Sequence, residues 1–200
     1  MGPSNENAPS ESEPAMSIVA HSYSLETFFD DCRASLLADA GPDGQSAVRR
    51  HLLQLLRHPK LIHAFLGPAP GRRTLHHEPS TGMHVFVHVY DAAGVSKPHD
   101  HGPCWIVYGN LTGHTDMIDY QRRDDGSQPG YADLAATREY RVKAGEAELF
   151  GVGAIHETAH PAEPSILIRV VSDDMDSVWR HTFNPAKKTV TDRPPRPEKD

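Results

Sequence analysis

The stretch from Pro98 to Gly109, Pro-His-Asp-His-Gly-Pro-Cys-Trp-Ile-Val-Tyr-Gly, constrains the fold of this chain more than any other. Successive side chains of an extended strand point to opposite faces, so His99 and His101 project to the same side and can bind one metal ion. Glycine and proline flank the pair, and an apolar strand follows from Trp105 to Tyr108. The stretch therefore predicts a β framework that carries two histidine ligands.

A second stretch, Gly145 to His160, has a related pattern. It predicts a strand, a turn marked by glycine from Gly151 to Gly153, and a returning strand that carries His156. The two stretches together resemble the paired motifs of the cupin superfamily: glycine, a few residues, His-x-His and glycine, and later glycine, five residues, a Pro or Gly turn and x-Gly-x-x-His.

The resemblance implies an all-β cupin fold, a double-stranded β-helix or jelly-roll barrel. Many cupins carry a Glu ligand after three or four further residues beyond the His-x-His pair, where this chain has Trp105 and Ile106. The implied metal site therefore consists of three histidines: His99, His101 and His156. Three imidazoles accept several metals, so Fe(II) is the expected cofactor and Zn, Ni, Mn and Cu stay open.

A narrower resemblance is to thiol dioxygenases of the cysteine dioxygenase type. It covers roughly residues 70 to 185 and includes the order Pro-His-Asp-His, strand, Gly-x-x-x-Gly-His-Thr, and a closing Trp-Arg-His-Thr-Phe that starts at Trp179. That family carries a Ser-x-His-x-Tyr relay where this chain has Leu167, Arg169 and Val171, and a crosslinked Cys where it has Ile106. Both features are missing, so the resemblance leaves open whether the substrate is a thiol.

Composition excludes several other classes. The chain has 200 residues and a formal net charge of −7, with no basic run that could follow a nucleic-acid backbone. Its two cysteines, Cys32 and Cys104, are far apart and are expected to be free thiols. No apolar run approaches the roughly 20 residues of a membrane span, and no signal pattern is present at the N-terminus. We expect a cytoplasmic protein without nucleic-acid or membrane partners, and leave a homodimer open.

The chain is expected to form one domain, residues 17–184, between disordered tails at 1–16 and 185–200. Amphipathic patterns predict helices within about 24–66 that pack on the outside of the barrel: one from Ser24, one from about Ser46 to Arg57, and one from Pro59 to near Gly67. The barrel is expected over about 70–184. Its predicted strands are Met83–Tyr90 and about 104–109, 113–121, 138–142, 146–150, 155–160, 164–172 and 177–183.

Two residues near the implied ligands are candidates for catalysis. Arg169 lies in the middle of an apolar strand, where arginine is rarely buried without a partner, so it either pairs with a protein carboxylate or binds the anionic end of a substrate. His160 shares the strand face of His156. Asp100 and Glu157, by contrast, alternate with the ligands and are expected to face away from the metal.

Four further residues are candidates for binding a substrate. Arg73 stands about where the family has its carboxylate-binding arginine, although Arg72 would serve equally by sequence. The aromatic candidates for the walls of the pocket are Tyr90, Trp105 and Tyr108.

The sequence therefore favours a mononuclear non-haem iron dioxygenase that acts with O2 on a small anionic organic substrate, with a thiol acid as one candidate. One alternative is a metal-dependent cupin lyase or isomerase, in which the same triad polarises a carbonyl or enolate without O2. Another is a non-enzymatic cupin that binds a small molecule.

Overall fold

The computed structural model describes residues 23–58, 60–61 and 69–196. Two helices precede a set of antiparallel strands. The elements are α1 Leu25–Ala38, α2 Pro42–Leu55, β1 Gly71–Glu78, β2 Met83–Tyr90, β3 Gly94–Val95, β4 Ile106–Thr112, β5 His114–Arg122, β6 Leu134–Lys143, β7 Ala147–Phe150, β8 Ile155–His160, β9 Ser165–Val171, β10 Arg180–Asn184 and β11 Thr189–Arg193. The predicted N-terminal tail and nearly all of the predicted third helix lie outside the described residues.

The strands form two facing sheets and a hairpin. One sheet has the order β1-β2-β9-β4-β7, the other has the order β3-β8-β5-β6, and β10 pairs with β11. Chain neighbours such as β4 and β5, or β7 and β8, lie in different sheets, whereas β9 is inserted between β2 and β4. This alternation of an antiparallel chain between two sheets is the double-stranded β-helix, so the predicted all-β barrel architecture is confirmed.

The helices cover the outer face of the five-stranded sheet. Ser24 caps α1 by accepting a hydrogen bond from Thr27 N through its side chain. One core cluster unites buried residues of both helices with the outward-facing residues of the sheet: Phe28, Cys32, Leu36, Val48, Leu52, Leu55, Val85, Val87, Val107, Ile168 and Val170. A Cβ added at Gly109 of β4 would lie 2.7 Å from Leu52 Cδ2, so glycine allows α2 to approach the sheet closely.

The inward-facing residues of the same strands form a second core between the sheets. Its members include Phe86, Ile106, Tyr108, Met117, Phe150, Leu167 and Val171. In β9 the outer core therefore takes residues 166, 168 and 170, and the inner core takes 167 and 171. The predicted alternation of this strand is confirmed, and it turns Arg169 toward the interior.

The ordered domain extends beyond residue 184, where the sequence pattern predicted its end. Residues expected to begin a tail instead form β11, which pairs with β10 in register from Arg180↔Arg193 to Asn184↔Thr189. Phe183 is buried in a third cluster with Ala132, Leu134 and Ile155, so the hairpin is anchored to the sheets. The alternation of Thr189-Val-Thr is a strand signal, but it is short and lies between proline- and lysine-rich segments.

The cysteines and the helices bear on two other expectations about the chain. Cys32 and Cys104 are both free and buried, as predicted. No helix in the described part of the chain is long and apolar enough to cross a membrane.

Candidate metal centre

Three histidines converge at one end of the space between the sheets. His101 Nε2 lies 2.9 Å from His156 Nε2, and one ring nitrogen from each of His99, His101 and His156 lies within 4.8 Å of the others. The predicted triad is therefore brought together. Among the residues that the structure describes, no carboxylate or thiol joins this group.

Backbone pairing places two of the three side chains. His99 N donates to His156 O at 2.9 Å and His156 N donates to His99 O at 3.0 Å, which makes the two residues antiparallel partners. His99 Nδ1 donates to the carbonyl oxygen of Lys97 at 2.8 Å, so the lone pair of this imidazole is on Nε2. The fold thus fixes both the position and the tautomer of His99.

The loop that follows His101 depends on glycine. Gly102 has a φ of 59°, in the left-handed region, and a Cβ at this position would collide with the carbonyl oxygen of Trp179. Glycine satisfies both demands. The turn therefore holds the His-x-His segment against the chain that leads into β10.

The donor set fits a transition-metal ion. His156 is 0% exposed and His101 is 3% exposed, and burial holds the pKa of both imidazoles well below the usual range. Burial likewise lowers the pKa of His99 to about 4. All three rings are therefore neutral at pH 7, which is the form that ligates metals. Zn, Cu, Ni and Fe all accept such imidazole sets.

Aromatic side chains surround the triad. The Tyr108 hydroxyl lies 3.4 Å from His101 Nε2, and the Phe150 ring packs edge-on against His156 with a centroid distance of 4.2 Å. Tyr108 is almost completely buried, and this burial raises the pKa of its phenol. Tyr108 thus lies beside the ligands, and its hydroxyl keeps its proton at neutral pH.

A cavity of about 430 Å³ opens on the triad. Its described lining residues include His99, His101 and Arg169, together with Ser96, Lys97, Met175, Arg180, Thr182 and Arg193. Sequence reasoning missed Arg180 and Arg193, because their segments were taken as the end of the barrel and as a tail.

Arg169 projects into this cavity. Its guanidinium Cζ lies 4.5 Å from the centroid of the Tyr108 ring. Within the described part of the chain, no carboxylate lies at ion-pair distance from this guanidinium, and its buried Nε has no hydrogen-bond partner. The described residues therefore do not show the first of the two alternatives for Arg169, which is an ion pair with a carboxylate of the protein.

His160 and Tyr90 form a separate stacked pair, with ring centroids 3.8 Å apart. His160 Nδ1 lies 3.4 Å from Thr115 Oγ1, and the Tyr90 hydroxyl lies 3.4 Å from His88 Nδ1. Neither His160 nor Tyr90 is among the described residues that line the triad cavity. Their roles in catalysis and substrate binding stay predictions without a direct contact to the triad.

Two predicted pocket residues lie on the wrong face. Trp105 is 6% exposed and packs in the outer core with the helices, not in the cavity. Arg73 is the cross-strand partner of Val87, which also belongs to that outer core. Both assignments are wrong because side chains alternate between the two faces of a strand. Trp105 and Arg73 therefore face the helices, whereas Tyr108 and Phe86 face the space between the sheets.

Arg72, the alternative to Arg73, lies on the inner face. Its Cζ is 5.0 Å from the Phe86 ring centroid, but its guanidinium pairs with Asp176 at 2.7 Å. Arg72 is therefore already neutralised by the protein.

The two acidic neighbours of the ligands face away from the triad, as expected. Asp100 is buried and accepts hydrogen bonds from Gly102 N, from His181 N and from His181 Nδ1, the last at 2.6 Å. Glu157 accepts a hydrogen bond from the Tyr120 hydroxyl. Asp100 thereby ties the His-x-His segment to β10.

The strand order gives this chain a double-stranded β-helix, and the triad is a group of three histidines that could hold a metal ion. No protein-family model matches its sequence, and no curated protein does.

Solved structures with a similar fold include KdgF from Halomonas sp., with 16% identity over 50% of this chain and 76% of that chain and a TM-score of 0.38. A conserved protein with a double-stranded β-helix domain from Klebsiella pneumoniae has 17% identity over 56% of this chain and 80% of that chain, with a TM-score of 0.39. Oxalate oxidase has 14% identity over 54% of this chain and 53% of that chain, with a TM-score of 0.38. These scores are low, so the class assignment rests on the strand order and the triad.

Proposed function

We propose that this protein is a mononuclear non-haem iron dioxygenase of the cupin type, which acts with O2 on a small anionic organic substrate such as a thiol acid. One observation carries the proposal: the guanidinium of Arg169 has no carboxylate partner in the described chain and lines the same cavity as His99 and His101. A permanent cation beside a divalent metal site is unfavourable unless an anion lies between them.

His99, His101 and His156 would hold the metal. When bound, Fe(II) supplies open coordination positions and the redox chemistry that reaction with O2 requires. Because all three ligands are neutral and no carboxylate joins them among the described residues, the protein leaves the charge of the ion uncompensated. An anionic substrate fits such a site better than a neutral one.

Arg169 and Tyr108 would then orient the substrate. The planar fork of a guanidinium can pair with both oxygens of a carboxylate, which fixes its direction as well as its position. Tyr108 supports the guanidinium with its ring and presents a hydroxyl donor beside His101. Ile106, Phe150 and Leu167 are buried in the same core cluster as Tyr108.

A metal-dependent lyase or isomerase is the second candidate, and Tyr108 is the observation that favours it. Burial raises the pKa of this phenol, so the hydroxyl stays protonated and can donate to an enolate oxygen. Such chemistry would use the same triad and the same anion-binding arginine without O2.

The two candidates differ in their use of O2. We expect the iron-loaded protein to consume O2 when mixed with a member of a panel of small thiol acids and 1,3-dicarbonyl acids, and we expect a His101→Ala variant to lose this consumption together with its iron. An oxygen electrode measures the uptake, and mass spectrometry identifies the product. Product formation at an unchanged rate under argon would instead support the lyase or isomerase, and binding without turnover would support a binding protein.

A further inference from the structure

The hairpin β10–β11 places two arginines side by side in the lining of the triad cavity. Arg180 and Arg193 are direct cross-strand partners in the antiparallel pair, and both line the cavity. Like charges that face each other across two strands are destabilising. A bound anion between them would convert this unfavourable pair into a favourable one.

Arg180 is the more buried of the two, and its charge is incompletely compensated. Its side chain is 13% exposed and its nearest carboxylate oxygen, Asp176 Oδ1, lies 3.6 Å away. Asp176 is shared with Arg72 at 2.7 Å and with Arg196 at 3.5 Å. The buried Nε of Arg180 has no hydrogen-bond partner among the described residues, and burial together with the neighbouring Arg193 lowers the pKa of its guanidinium.

The cavity as a whole carries more positive charge than one monoanion can balance. Its cationic lining residues are Lys97, Arg169, Arg180 and Arg193, and no aspartate or glutamate is among the described residues that line it. An anion at Arg169 alone would leave Arg180 with only its shared contact to Asp176, and Arg193 without an ion pair among the described residues.

We propose that this cavity binds a small organic acid with two carboxylates: one at Arg169 beside the triad, called the inner site, and the other between Arg180 and Arg193, called the outer site. The inner site rests on the proposed function, whereas the outer site is an addition to it. Both sites offer planar guanidinium groups, which pair with carboxylates in a bidentate manner. The volume of the cavity is typical of sites for small organic ligands.

Binding calorimetry with two acids of equal length tests the outer site. The probes are succinate, a dianion, and butyrate, a monoanion, and the protein is the full chain in its Zn-loaded and metal-free forms. We expect succinate to bind at least about tenfold more tightly than butyrate in both forms, since the outer arginines do not depend on the metal.

Three variants test whether the hairpin arginines cause the preference for succinate over butyrate. Arg193→Gln changes an exposed side chain, and Arg180→Gln changes its buried partner. Each should weaken succinate binding more than butyrate binding and so reduce the preference for succinate to about threefold or less. Arg123→Gln removes the same charge from an exposed position outside the cavity and should leave the preference intact. Equal affinity of the two acids for the native protein, or a preference that survives in Arg193→Gln, would overturn the proposal.

The O2 measurement keeps this outcome separate from the proposed function. A preference for succinate that the hairpin variants abolish, without O2 uptake for any compound of the panel, would retain the outer site and reject the dioxygenase. Substrate-dependent O2 uptake by a protein that does not distinguish succinate from butyrate would retain the dioxygenase and reject the outer site.

Discussion

Arg169 is the point at which a permanent charge interrupts an otherwise apolar inner face. Its cross-strand partners, Phe86 and Tyr108, are aromatic and buried, so neither can neutralise it by an ion pair. The guanidinium of Arg169 lies over the Tyr108 ring, which holds it by a cation–π contact. A residue held in this way is prepared to bind an anion without further ordering.

Arg169→Lys tests whether the planar fork matters. Lysine keeps the positive charge but loses the bidentate geometry and the stacking on Tyr108. We expect kcat/KM to fall by at least about tenfold, or about 1.4 kcal/mol, with the metal content unchanged. Steady-state kinetics and elemental analysis measure the two quantities, and Arg123→Lys on the surface serves as the matched control. Full activity in Arg169→Lys would show that the arginine is structural.

The alternation of side chains between the two faces of a strand decided which individual residues could be placed correctly from the sequence. The spacing of two between His99 and His101, and the alternation of β9, gave the correct faces for His101 and Arg169. Trp105 and Arg73 were assigned from position within a family motif instead, without regard to this alternation, and both point to the helices. The cross-strand pair of Arg180 and Arg193 depends on a pairing register that no local pattern contains.

At the scale of elements, the turn after His101 connects the His99–His101 segment to the hairpin β10–β11. Gly102 lies against the backbone of Trp179. Asp100 accepts hydrogen bonds from the backbone nitrogen of His181 and from its ring Nδ1. These contacts hold β10 next to the triad. The position of the hairpin arginines therefore depends on a turn that only glycine can form.

A pair of glycine variants separates the close approach at this turn from backbone conformation. Gly102 and Gly145 both have positive φ, but a Cβ at Gly145 would meet no atom within 4 Å. We expect Gly145→Ala to lower the free energy of unfolding by about 1 kcal/mol, and Gly102→Ala to lower it by at least about 2 kcal/mol more because of the collision with Trp179. Urea unfolding measures both, and equal losses would contradict the close contact.

The sequence predicted long, strongly periodic elements better than short ones. α1 and β2 match their predicted positions, because an amphipathic stripe and a strict alternation extend over several turns or residue pairs. α2 begins at Pro42, earlier than predicted, since the proline is suited to a first helical turn. β11 was missed because its five residues are stabilised mainly by pairing with β10, which is a tertiary contact.

For the molecule as a whole, the burial of neutral histidines makes stability depend on pH. His88 lies between the sheets, and burial, followed by the charges of Arg169 and Arg72, lowers its pKa to about 2. The unfolded chain, with an ordinary histidine pKa, binds this proton first as the pH falls. The stabilisation from keeping His88 neutral is therefore complete above about pH 6.5 and is lost progressively below it.

The variant His88→Gln tests this dependence. Between pH 6.5 and pH 4 the native protein should lose about 3 kcal/mol of unfolding free energy more than the variant does, because glutamine does not titrate. Urea titrations at a series of pH values in the presence of a chelator measure the difference. Parallel curves for the two proteins would show that His88 is protonated in the folded state.

The backbone of His99 has neighbours on both sides. It bridges to His156 in the second sheet and to Thr182 in the hairpin, and the adjacent Pro98 O accepts a hydrogen bond from Phe183 N. The residue that would ligate a metal therefore also connects the barrel to the hairpin. Metal binding at the triad and docking of the hairpin would then be linked equilibria, with each changing the other by the same free energy.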